Sequence, residues 1–268
     1  MLPYSAADVA LVALQALVVA LPGAGWPAGL PRPSGRGWAL IAPVSIAVVV
    51  AAIAALPGVA SGLTWLALVA VPPLAAAALG WAARFGHPAL ALVAVTLFAG
   101  AWALLGTLAG DACAALLTAL SCVTLGRLLA GLTPAFALQA GIVVMAMIDT
   151  ALIVSDNLQG PNAVLVAAAP APTLPRLQAA LLGGASLGYG DLFVAGLLGG
   201  VLALQRGPAW RAAALTFVFS LVMDLLFWIA DTLPATVPVA LTLLSLEGAR
   251  RLSGSAPASR AAPGGTAP

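Results

Sequence analysis

Three aspartates, Asp149, Asp191 and Asp224, stand inside runs of otherwise apolar residues. A charge at the bilayer centre costs at least about 2.5 kcal/mol on insertion scales, so such residues usually face the protein interior and have a role there. A carboxyl group so placed offers hydrogen bonding to a neighbouring helix, proton relay, or acid–base work on water. The plain alternative for any one of them is packing glue, a protonated Asp bonded to the next helix. Asp191 ends the run Gly188-Tyr189-Gly190-Asp191. Two glycines weaken a helix by about 1 kcal/mol each relative to Ala. They also clear space for a water or a substrate backbone beside the carboxyl. Close helix packing is the competing use, and Gly196 and Gly200 form a small-xxx-small pair of that kind. A third feature is Leu233-Pro234-Ala235-Thr236-Val237-Pro238. Its prolines remove backbone donors and hold the stretch away from regular helix. Irregular backbone at membrane depth is tolerated where it is protein-buried or lines a water-filled cavity. An ordinary helix start with Pro in its first turn fits equally well.

The elements that must position these residues are membrane helices. Of 268 residues, 63% are hydrophobic and 7% charged, against roughly 25% charged in a soluble domain. Lipid as solvent removes the need for a polar surface. There is no lysine, and the net charge of +2 does not suggest nucleic-acid binding. Cys113 and Cys122, nine residues apart in one apolar run, read as small core residues with no metal-ligand spacing. No basic region precedes the first apolar run, so that run reads as a retained helix rather than a cleaved signal peptide.

Apolar runs fall near 6–22, 38–56, 62–82, 88–109, 111–126, 134–155, 179–204, 210–230 and 234–248. A span needs roughly 17–25 residues, with shorter runs tolerated by tilt or thinning. The expected fold is therefore all-α and polytopic, with about nine transmembrane helices. Residues 1–132 form an N-terminal bundle of five spans, 133–252 carry spans six to nine, and 253–268 form a disordered Ser/Ala/Pro/Gly-rich tail. Arginines set the orientation. With the N-terminus outside, nine of the ten arginines fall on the cytoplasmic side and only Arg176 lies outside. Asp149 and Asp224 each precede an outer-edge aspartate by seven residues, about 10 Å of helix. Asp191 lies midway between Arg176 and Arg206, near mid-membrane.

An Asp in span six, Gly-x-Gly-Asp in span seven and a Pro-Ala stretch opening span nine together resemble the presenilin and signal-peptide-peptidase family of intramembrane aspartyl proteases. Ile148-Asp149, Gly188-Tyr189-Gly190-Asp191 and Pro234-Ala235-Thr236 stand at the family's three motifs. The likeness covers roughly residues 134–248, with Gly160-Pro161 after the first motif. Ile148 replaces the family's tyrosine and Thr236 its leucine. The resemblance implies Asp149 and Asp191 as the catalytic pair. Gly188, Tyr189, Gly190, Pro234, Ala235 and Thr236 would then border the substrate. It implies a membrane-spanning peptide as substrate, no cofactor and no metal. The derived N-out, C-in orientation is similar to that of signal peptide peptidase and opposite to that of presenilin. A prokaryotic plasma membrane is the expected location.

Three rivals stand beside this reading. A prepilin-peptidase-like enzyme also pairs Asp with Gly-x-Gly-Asp, but its motif continues into a basic residue where this chain has Leu192-Phe193-Val194. A proton-coupled transporter would use all three acids as a relay, with Asp224 as the discriminating residue. An inactive scaffold would share the fold without the chemistry.

Overall fold

A computed structural model describes residues 4–24, 44, 59–155, 168, 170–228 and 233–254. The expected second span and the segment carrying Gly160 and Pro161 lie outside these residues, as does all but the start of the tail.

The described residues form eight α-helices and one β-hairpin. They are α1 (Ala6–Ala20), α2 (Val59–Ala77), α3 (Ala91–Ala103), α4 (Leu108–Leu132), α5 (Ala135–Val154), β1 (Ala179–Leu182), β2 (Ala185–Gly188), α6 (Tyr189–Leu204), α7 (Ala209–Asp224) and α8 (Val237–Gly254). Helix starts follow local chemistry. Ser5 caps α1, its Oγ accepting from Ala7 and Asp8 N–H groups while its own N–H donates to Asp8 Oδ2 at 2.7 Å. Thr107 caps α4 by accepting from Gly110 N–H. In α2, Pro72 and Pro73 remove two donors, and the helix runs on as a π-turn over Ala78–Ala82.

Four helical stretches are long and apolar enough to cross a membrane: Ala60–Ala82, Leu108–Leu132, Ala135–Val154 and Ala209–Trp228. Ala6–Ala20, Pro88–Ala103 and Tyr189–Leu204 are apolar but shorter. Nine full-length spans are therefore not what the described residues contain. Two shortfalls have local causes. Residues 88–109 open with a 3-10 turn at Pro88–Leu90 and leave the helix after Ala103. Residues 179–188, expected at the start of span seven, form the hairpin instead. Gly183 and Gly184 both take positive φ, 52° and 93°, as the two central residues of its turn.

Apolar side chains such as Leu66, Val69, Leu92, Val95 and Met147 point outward from the bundle. An apolar exterior of this extent marks a membrane-associated protein. The core lies around α4 and α6. In α6 every residue from Val194 to Ala203 is buried. A Cβ on Gly196 would collide with the Cys122 carbonyl, and one on Gly126 would collide with the Gly196 backbone. Backbones this close require glycine on both helices. α1 packs on the other side of α6, its Val19 carbonyl lying against Gly199.

Charges separate along the bundle. Arg84 N–H donates to Leu21 O at the end of α1, Arg127 Nη2 donates to Ala24 O, and Arg250 Nη1 donates to Gln205 Oε1 just past α6. Asp8, Asp191 and Asp224 belong to the opposite ends of α1, α6 and α7.

Candidate active site

Five helix ends meet at this acidic end. The first turns of α1 and α6, the last turns of α5 and α7, and the turn before α8 surround a cavity of about 350 Å³. Residues 184–188 of the hairpin supply part of its wall. Asp8, Asp149, Asp191 and Asp224 all line it, and no basic residue is among the described lining residues.

Asp149 projects from the last turns of α5. Thr236 Oγ1 donates to its Oδ2 at 2.7 Å, and the Thr236 backbone N–H faces the same carboxyl. That donor is available because α8 begins at Val237, leaving the preceding N–H without an intrahelical acceptor. The carboxyl therefore sits at the positive end of α8.

Asp191 is the third residue of α6. Its Oδ2 accepts the Gly188 N–H at 3.2 Å, closing the first turn. The run 179–204, expected as one span, is corrected by this: the helix starts at Tyr189, so the carboxyl sits in its first turn rather than inside it. The motif glycines do not interrupt a span either. A Cβ on Gly188 would press on Asp191 Oδ2 at 2.9 Å, while one on Gly190 would meet nothing within 4 Å. Asp149 and Asp191 lie close enough that the charge of the first reaches the second.

The expected substrate-bordering residues divide. Gly188, Pro234 and Ala235 line the cavity. Tyr189 turns away toward α4, its hydroxyl 2.9 Å from Ser121 Oγ. Thr236 is buried and spends its hydroxyl on Asp149. Gly190 is not part of the lining.

Two contributors, Gln15 and Asp8, were not singled out in the sequence. Gln15, fully buried in α1, donates Nε2 to Ala235 O at 2.9 Å and accepts from Ser220 Oγ at 3.4 Å. It thereby ties the turn before α8 to α1 and α7. Asp8 lines the cavity beside its capping role, and its charge reaches Asp224. A lone amide in an apolar run was the available signal for Gln15.

Asp224 is 9% exposed, and its Oδ2 is shielded with no hydrogen-bond partner among the described residues. The described residues hold no group of three side chains suited to a metal ion. No family model matches the chain, and neither a curated protein nor a solved structure matches it.

Proposed function

We propose that this protein is an intramembrane aspartyl protease. It would hydrolyse peptide bonds within membrane-spanning segments. One observation carries the reading: Asp149 and Asp191, from separate helices, line one cavity.

Two carboxyl groups sharing one water hold a single negative charge between them. The ionised member takes a proton from the water, whose oxygen attacks the scissile carbonyl carbon. The neutral member donates its proton to the carbonyl oxygen. On collapse the carboxyl that took the water's proton gives it to the nitrogen as the C–N bond breaks, and the other carboxylate takes a proton from a hydroxyl of the diol, which restores the pair. Thr236 fixes the rotation of Asp149, and the Gly188 N–H fixes Asp191. Water reaches the pair because the cavity lies at the end of the bundle rather than at its centre. In the N-out, C-in orientation this is the outer face of a prokaryotic plasma membrane.

A peptide carrying a hydroxyl-bearing isostere of the tetrahedral species should bind between the two carboxyls. A photoreactive version is expected to label the wild type and to be displaced by excess unlabelled isostere. Labelling should fall sharply in Asp191→Asn. Equal labelling of both proteins would contradict the proposal.

A proton-coupled carrier is the second reading, favoured by a polar stripe below Asp224. Thr216, Ser220 and Asp224 stand four residues apart on the buried face of α7 and extend polarity by about 12 Å. Thr216 and Ser220 are bonded to Thr242 and Gln15, and the stripe gives way to Ala212 and Ala213.

A further inference from the structure

α1 and the end of α7 also line the cavity, through Asp8, Leu11, Gln15, Ser220, Met223 and Asp224. The proposed catalytic pair makes no use of these residues. Their polar centre is Asp224, nine-tenths buried, with one oxygen shielded and without a partner among the described residues. The nearest charge acting on it is another carboxyl, Asp8. Asp8 Oδ2 is engaged by Ser5, through its N–H at 2.7 Å and its hydroxyl at 2.8 Å. Asp224 has no such bond.

Two carboxyl groups at the wall of one cavity, one with an unsatisfied buried oxygen, can ionise together only if a positive group joins them; otherwise one stays protonated. No lining residue supplies that group. A divalent metal would need more ligands, and the described residues assemble no group of three. An ammonium or guanidinium fits better, because each brings several N–H donors on a long apolar stem. Leu11 and Met223 would cover such a stem, and the two carboxyls would meet its head.

We propose that Asp8 and Asp224 form a subsite for a lysine or arginine side chain of the cleaved segment, close to the scissile bond. This rests on the protease reading for the word cleaved, but binding of the basic side chain stands separately. The charge also gives specificity: a segment with an acidic residue at that position would be repelled.

The test uses full-length protein in proteoliposomes and reporter segments that differ at one position. Arg, Lys, Gln or Glu is placed at successive positions flanking the cleavage site. The readout is the ratio of kcat/KM for Arg to that for Gln. At one position the wild type should favour Arg and Lys by about tenfold or more, as for a hydrogen bond to a charged group. Asp224→Asn should bring the ratio close to one, Asp8→Asn should lower it, and Asp224→Glu should keep it. A ratio near one at every position in the wild type, or an undiminished ratio in both Asn variants, overturns the subsite. Direct binding of the same peptides, followed by fluorescence anisotropy, separates the two proposals. A basic preference in binding that Asp224→Asn removes, without any cleavage, upholds the subsite and defeats the protease.

Discussion

At the scale of single residues, Thr236 carries the sharpest consequence. It stands where the resembled family has leucine, and its hydroxyl and N–H both address Asp149. Ile148, beside Asp149, has no hydroxyl to offer. Thr236 thus acts as a positioning residue, holding one carboxyl oxygen so that the other faces the cavity. Thr236→Val keeps the shape and deletes the bond. A hydrogen bond to a charged group contributes about 1.5–3 kcal/mol, so kcat should fall roughly 10- to 100-fold. KM should change little, and Thr236→Ser should recover most of the loss. A Val variant with wild-type kcat would remove the hydroxyl from the account. The acids themselves were legible in the sequence because a carboxyl in an apolar run is costly and therefore conspicuous. Gln15 and Asp8 were harder to read. One looks like a stray amide and the other like a cap, until the fold brings both to the cavity.

At the scale of elements, the close contact of α4 and α6 sets the site. Asp191 can face Asp149 only if α6 keeps its place, and that place depends on Gly126, Gly196 and Gly200. Gly196→Ala should destabilise the detergent-solubilised protein by about 1–3 kcal/mol, as overpacking does. Gly62→Ala should be neutral or slightly stabilising, because Gly62 is helical and its added Cβ meets nothing within 4 Å. Thermal unfolding of the two variants checks this, and equal effects would count against the packing argument. The Gly196 and Gly200 spacing was readable as a packing device. The hairpin was not read, although Gly183-Gly184 is a recognisable two-residue turn. Apolar strands of four residues look like helix in a hydropathy window, because Ala and Leu serve both. That confusion displaced the start of α6 by ten residues.

At the scale of the whole molecule, the four cavity aspartates lie at one end, and Arg84, Arg127 and Arg250, the last paired with Glu247, lie toward the other. α7 shows this within one element, with Arg211 in its first turn and Asp224 as its last residue. If arginines mark the cytoplasmic side, the cavity end would be the outer one. The helices differ in role. α4 and α6 are central, whereas α2, α5 and α7 present apolar faces outward. A substrate helix approaching from the lipid would meet α5, α7 and the turn before α8 before it met the carboxyls. On the protease reading, the site would be reached from the side and hydrated from the end.

The central claim is that Asp149 and Asp191 act together on a peptide bond, and cleavage of a membrane-embedded reporter by purified protein in proteoliposomes tests it most directly. The account predicts cleavage by the wild type and a loss of about 1,000-fold or more in Asp149→Asn and in Asp191→Asn separately, within the usual range of a general acid or base. Both variants should remain folded and monodisperse. Undiminished cleavage by either folded variant would contradict it.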